Sequence, residues 1–220
     1  MAEQIGLRER KKLKTREHIA ETARGLFAER GFERVTVAAI ARIAEVAEQT
    51  VYNYFPTKED LVYWRLESFE QALLSAIRDR PPGETLLAAF RRWLLAQRGL
   101  LAEEPLSDEL KTLARMITES PALLAREQEI FARYTDTLAR LIATETRARP
   151  GDIEPWVTAN ALLGTHRALV HYARTKILDG TTRNPRLTRN IRAQAETALT
   201  RLEAGLGSYG IKKATGTSEP

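Results

Sequence analysis

The placing of helix breakers decides what this chain can fold into. Gly31, Pro56, Pro81-Pro82-Gly83, Pro105, Ser120-Pro121, Pro150-Gly151, Asp179-Gly180 and Asn184-Pro185 divide its 220 residues into segments. Inside the segments apolar residues recur every three or four positions, and Ala, Leu, Arg and Glu dominate. That is the spacing of one buried helix face. No run alternates with the period of two that a half-buried strand needs, so the chain reads as all-α with about nine helices.

The spacing predicts helices over about 14–30, 37–44, 48–54, 58–79, 84–103, 107–120, 122–147, 154–178 and 185–206. Gly31 stops the first as a residue free to take positive φ. Thr36 is a good N-cap for the second. Pro56 ends the third, and Thr57 with Asp60 three residues on forms a capping box for the fourth. The domains expected are a flexible basic arm over 1–11, a three-helix unit over 12–72, a larger helical body over 73–206, and a disordered tail over 207–220. The long fourth helix is expected to join unit and body without a flexible linker.

Residues 36–61, TVAAIARIAEVAEQTVYNYFPTKEDL, carry the chemistry. Two short helices about a tight turn, at about 35–54, form a helix-turn-helix whose second helix enters a DNA major groove. Val37, Ile40, Ala41 and Ala44 should pack on Ile19, Ala23 and Phe27, with Val46 plugging the turn. The face left over on the third helix holds Gln49, Thr50, Tyr52 and Asn53. Gln and Asn pair bidentately with adenine, and Thr contacts a thymine methyl or a phosphate. The hydroxyls of Tyr52 and Tyr54 suit phosphate oxygens, although the Tyr54 ring suits a core position equally well. Thr36 and Lys58 stand at helix starts, where amide donors and the helix dipole attract phosphate. Charge alone does not mark the segment, since 17–60 is slightly acidic. Attraction comes from 8–16, RERKKLKTR, with six basic residues against one acidic. The net charge of +5 permits a polyanion partner.

The ERGF turn, Thr36 and the run TVYNYFPTKEDL resemble the TetR family of bacterial transcriptional regulators over about residues 14–62. The resemblance implies an all-α homodimer that binds a palindromic double-stranded DNA operator. It also implies a ligand pocket in the C-terminal body and dimerisation mainly through the last two helices. Two residues depart from the family pattern. Glu45 stands in the turn where Gly is usual, and Ala47 where a capping Ser is usual. If position 45 needs positive φ, Glu there costs roughly 1 kcal/mol. Ala47 cannot accept a capping hydrogen bond.

In the body, candidate ligand-lining residues are Trp93, Met116, Phe131, Tyr134, Trp156, His166 and Arg167; each is also a reasonable core or surface residue. Candidate dimer-interface residues are Leu162, Leu169, Ala173, Ile191, Ala198 and Leu202. The segments ESPALLARE (119–127), PGDIEP (150–155) and ANALLGTHRAL (159–169) resemble the subgroup that includes the mycofactocin-cluster regulators. That likeness suggests an acyl-CoA or other hydrophobic small-molecule effector. His166 and His171 are five apart, a poor spacing for a shared metal. With no Cys, disulfides and Cys-based zinc sites are excluded. No Gly-rich phosphate loop, nucleophile elbow or HExxH is present, so neither an enzyme nor a cofactor is expected. With no membrane-length apolar run and no secretory signal, a cytoplasmic protein is expected. The reading is a ligand-responsive repressor. The alternatives are a helical ligand-binding or scaffold protein with vestigial DNA binding, and an activator of the same fold.

Overall fold

The computed structural model describes residues 6–96, 108–180 and 184–212. These form nine α-helices and no strand among the described residues. In chain order they are α1 (Leu7–Arg30), α2 (Val37–Ile43), α3 (Glu48–Tyr54), α4 (Leu66–Arg78), α5 (Leu86–Leu95), α6 (Asp108–Glu119), α7 (Pro121–Thr146), α8 (Glu154–Leu178) and α9 (Asn184–Leu206). The chain divides into two compact units. The first is Met1–Leu66 with Asp108–Gln128, and the second is Glu67–Ser107 with Glu129–Pro220.

The first unit is built on an apolar interior of Ile19, Ala23, Phe27, Ile40, Ala41, Val51, Phe55 and Leu61, all buried. The expected packing of the second helix on the first is what forms it. α2 and α3 have seven residues each. Helices that short are not stable alone in water, so this interior is what makes them helical. Thr36 caps α2 as expected, its Oγ1 accepting from Ala39 N at 3.2 Å. Val46 is only half-buried, and Ala44 fills the turn instead.

Three boundaries differ from expectation. α1 starts at Leu7, so residues 7–11, expected in a flexible arm, are its first turns. Arg, Lys, Leu and Glu are good helix formers, and a positive run does not override that. The fourth helix starts at Leu66, not Lys58. The Thr57–Asp60 capping box does form, with Thr57 N donating to Asp60 Oδ2 at 3.0 Å and Asp60 N to Thr57 Oγ1 at 3.3 Å. It closes only one 3-10 turn, Glu59–Leu61. Leu61 and Tyr63 are both buried. Residues two apart on an α-helix point to different faces, so the chain turns before α4 begins. Finally, 108–128 belongs with the first unit and not with the body.

The second unit buries Leu73, Ile77, Phe90 and Leu94 from α4 and α5, Leu138 and Ile142 from α7, and Leu162 and Leu163 from α8. α9 packs along α8 and α5. Its buried residues are Leu187, Ile191, Ala195 and Leu199, while Ala198, Leu202 and Leu206 are half-buried on the adjoining face. Residues 207–212, expected in a disordered tail, fold back on this unit. Gly83 N donates to Lys212 O at 2.8 Å, and Lys212 N to Glu84 O at 3.3 Å. The buried Arg80 guanidinium bridges Glu145 Oε2 at 2.6 Å and Gly210 O at 2.9 Å. An unpaired guanidinium in that interior would be costly, so the tail backbone is part of the fold. The expected continuation of the fifth helix to Glu103, the break at Pro105 and the start at Ser107 lie outside the described residues. So does the rest of the tail.

Candidate nucleic-acid interface and effector site

On α3 the buried residue is Val51, and Glu48, Gln49, Tyr52 and Asn53 are exposed. Thr50 and Tyr54 are half-buried, and Phe55 just beyond is buried. All seven predicted contact residues, Thr36, Gln49, Thr50, Tyr52, Asn53, Tyr54 and Lys58, keep surface. Gln49 Nε2 donates to Asn53 Oδ1 at 3.2 Å, one turn apart on the outer face. The two amides hold each other in line, and both can exchange that bond for base edges.

The turn before α3 explains what Glu45 and Ala47 do. Glu45 N donates to Arg42 O at 3.4 Å and Val46 N to Ala41 O at 3.0 Å. This is the Schellman closure of α2, and it places Glu45 at the position that favours glycine. Glu45 takes φ 53° there. Ala47 stands at the N-cap of α3 and gives no side-chain bond. Both sequence departures thus fall on positions where the backbone demands what the residue does not supply.

Lys58 sits differently from the expected phosphate ligand. Its Nζ donates to Phe32 O at 3.0 Å and Val35 O at 3.3 Å, and lies 4.0 Å from the centre of the Phe32 ring. Two of three ammonium donors are thereby engaged by the α1–α2 loop. Its main role in this structure is to tie that loop to the turn after α3.

Four contacts that sequence reasoning missed bind the α6–α7 junction into the same unit. Arg126 donates from Nε and Nη2 to Asp60 Oδ1 at 2.9 and 2.8 Å. Tyr63 OH donates to Leu123 O at 2.9 Å, and Ser120 Oγ to Glu33 Oε1 at 2.8 Å. Arg24 on α1 meets Glu109 on α6 at 2.8 Å. Asp60 is thus shared between the capping box and Arg126. The partners lie 60 to 87 positions apart, and no local pattern signals such pairs.

In the second unit, four of the seven predicted ligand residues converge. Trp93 of α5, Phe131 and Tyr134 of α7 and His166 of α8 are all buried. Phe69 of α4, which the sequence did not single out, completes the cluster. Its ring centroid lies 4.6 Å from His166, 4.8 Å from Trp93 and 6.3 Å from Tyr134. His166 also lies 5.7 Å from Phe131 and 6.0 Å from Trp93. Burial pushes the His166 pKa down to about 4, so the imidazole is neutral near pH 7. Its Nδ1 is buried with no hydrogen-bond partner. Of the other three predicted ligand residues, Arg167 borders the cluster, its guanidinium 5.8 Å from the centre of the Phe131 ring, and two do not join. Trp156 and Arg167 are exposed, and Met116 belongs to the first unit.

The predicted dimer residues need a similar correction. Leu162, Ala173 and Ile191 are buried within the protomer's own second unit, as is most of Leu169. They pack within the protomer and hold α8 and α9 in place. The outward surface is instead a groove of about 450 Å³ between the two helices, with Ala161, Gly164, Thr165 and Ala168 on one side and Gln194 and Ala198 on the other. Leu169 reaches its floor. Leu202 is half-buried and does not line it. Nothing lies within 4 Å of where a Gly164 Cβ would stand. Among the described residues no helix is long and apolar enough to cross a membrane.

Comparison with known proteins agrees with the geometry. Residues 19–63 match the family model described as bacterial regulatory proteins, tetR family. The chain is 32% identical over 142 residues to the HTH-type transcriptional regulator TcmR of Streptomyces glaucescens, spanning 63% of each protein. It is 29% identical over 156 residues to the putative mycofactocin biosynthesis transcriptional regulator MftR of Mycobacterium tuberculosis, spanning 70% of this chain and 77% of that protein. The alignment with TcmR covers less than two thirds of that relative. Among solved structures, the SmeT–triclosan complex superposes with TM-score 0.54 at 19% identity, covering 94% of this chain and 98% of the other. FadR of Bacillus subtilis with stearoyl-CoA superposes with TM-score 0.51 at 19% identity, covering 84% and 97%. At such identities the superpositions show a shared fold. TcmR and MftR, the two relatives given above, both carry the name of transcriptional regulators.

Two predictions follow from these local geometries. Glu45→Gly and Ala47→Ser should each stabilise the first unit by about 1 kcal/mol, the one by relieving positive φ and the other by adding a cap. Urea unfolding reads this out, and a lowered midpoint for either variant contradicts it. For His166, the folded pKa lies below the unfolded value of 6.5. The unfolded chain then binds the extra proton first as pH falls. Stability should be full above about pH 6.5 and fall by up to roughly 3 kcal/mol as pH drops toward 4. Thermal unfolding across that window should show a loss that His166→Phe removes. An equal loss in the variant would contradict the assignment.

Proposed function

The chain belongs, through residues 19–63, to the TetR family of bacterial regulatory proteins, and on that premise we propose that it is a ligand-responsive transcriptional repressor. It binds a palindromic operator as a homodimer and leaves it when a small hydrophobic effector enters the second unit. It has no catalytic role in this reading. The observation that carries the reading is the exposed Gln49–Asn53 face of α3, held outward by a buried Val51 and Phe55. A surface helix of seven residues with its polar edge free is what a major groove accepts.

In this account Gln49 and Asn53 read base edges, Thr50 contacts a methyl or a phosphate, and Thr36, Tyr52 and Tyr54 reach phosphates. The exposed basic side chains Arg8, Lys11, Lys12 and Lys14 on the first turns of α1 add attraction. Dimerisation uses the α8–α9 groove, where small residues allow a second copy's helices to approach closely. The exposed Ile153, Trp156 and Val157 at the start of α8 add apolar surface beside it. Two-fold symmetry then supplies two reading helices for the two halves of a palindrome.

α7 is the route from effector to DNA. It carries Phe131 and Tyr134 of the aromatic cluster and, less than two turns earlier, Arg126 bonded to Asp60. A ligand that displaces the cluster shifts the same helix that steadies the turn after α3. SmeT is solved in complex with triclosan and FadR in complex with stearoyl-CoA. Both are largely apolar, which supports a hydrophobic effector here.

The test is selection of a duplex from random-sequence DNA, followed by gel-shift titration across salt. The selected duplex should be palindromic, with affinity falling steeply as salt rises. Gln49→Ala should lose about 1–3 kcal/mol of discrimination at one position of each half-site. Binding without sequence preference or salt dependence would leave a helical ligand-binding protein with vestigial DNA contact as the correct reading.

A further inference from the structure

The His166 cluster also specifies the chemistry of its ligand, and here the inference rests on the reading of the second unit as an effector site. We propose that the effector is a planar aromatic compound carrying a hydroxyl group, stacked among Phe69, Trp93, Phe131 and Tyr134 and hydrogen-bonded to His166.

Three observations lead there. First, three helices each turn a ring toward one imidazole: Phe69 from α4, Trp93 from α5 and Phe131 from α7, with Tyr134 one turn on from Phe131. Ring faces and edges stack on other rings, gaining about 0.5–1.5 kcal/mol per pair beyond the burial of area. A flexible acyl chain gains no such directional contact. Second, His166 Nδ1 is buried and unpartnered. A polar atom in that condition costs about 1–3 kcal/mol, and native interiors seldom tolerate it without use. Third, the polar partner the site accepts is neutral. A neutral imidazole has one N–H donor and one acceptor nitrogen, and a phenolic hydroxyl both donates and accepts. It therefore satisfies Nδ1 in either tautomer. A carboxylate only accepts, and it would bring a buried charge. The guanidinium groups of Arg133 and Arg167 lie over the rings of Tyr134 and Phe131, at 5.6 and 5.8 Å from their centres.

In this proposal the ring enters beside Phe69. A ring sandwiched between two others needs two gaps of about 3.5 Å. Phe69 and Tyr134 stack with centres 6.3 Å apart and planes 23° from parallel, under an ångström short of that total. Phe69 is the half-buried member while the others are buried. Rotation of Phe69 opens the space without moving the buried rings. Entry on the α4 side and contact with two α7 rings place the ligand against the helix that carries Arg126.

The probes are 2-naphthol, naphthalene and lauroyl-CoA, titrated against the full-length protein with tryptophan emission as the readout. 2-Naphthol should bind at least tenfold more tightly than naphthalene and quench emission through Trp93. His166→Phe should abolish that preference, and His166→Gln, which keeps a hydrogen-bonding group, should retain part of it. Nitrogen-15 histidine spectra of the unaltered protein provide a check that needs no variant. The imidazole that titrates at about 4 should shift on adding 2-naphthol. Equal binding of 2-naphthol and naphthalene, no binding of 2-naphthol, or tight lauroyl-CoA binding unaffected by His166→Phe would each overturn the aromatic-hydroxyl assignment. Any of these leaves the regulator reading standing if the selected duplex is bound. Loss of specific duplex binding sinks the regulator reading whatever the naphthol titration shows.

Discussion

α2 and α3 are too short to be helices by themselves, and everything the first unit does depends on the apolar interior that makes them so. Ile19, Ala23 and Phe27 of α1 meet Ile40 and Ala41 of α2, and Val51 and Phe55 close the set from α3 and its end. Burying Val51 and Phe55 is what turns Gln49, Tyr52 and Asn53 outward. That outward face is a by-product of the core's geometry, and its precision is as good as the packing beneath it.

Around that core the chain uses polar ties where apolar packing runs out. Lys58 closes the α1–α2 loop onto the turn after α3. Asp60 serves the capping box and Arg126 together. The result is that the start of α7 belongs to the DNA-facing unit while its remainder belongs to the second. One helix therefore has a stake in both. The helix that follows the helix-turn-helix begins only at Leu66, after a turn.

Much of this was legible beforehand because it is local. Breaker residues and three-to-four spacing located α2, α3, α8 and α9 closely, since a helix's ends and buried face are written in neighbouring residues. Thr36, Glu45 and Ala47 were legible for the same reason: caps and turns act within four residues. What stayed hidden was long-range. The Arg126–Asp60 and Tyr63–Leu123 bonds and the arrival of Phe69 beside His166 depend on which helices meet, and periodicity does not encode that. In the basic run 8–16 the helix propensity of Arg, Lys and Leu outweighs like-charge repulsion. Burial was misassigned on α8 and α9, where Leu162, Ala173 and Ile191 serve the protomer's own core and small residues such as Gly164 and Ala168 face outward. Apolar character alone does not tell an interior face from an interface.

The account stands or falls on whether the α3 face meets DNA. Amide hydrogen exchange of the protein with and without its selected duplex measures this directly. Protection should appear over 36–58 and the first turns of α1, greatest in α3, with α8 and α9 unchanged. If duplex binding leaves 36–58 unprotected and the change falls in the second unit instead, the face built on Val51 and Phe55 is not the DNA-reading surface.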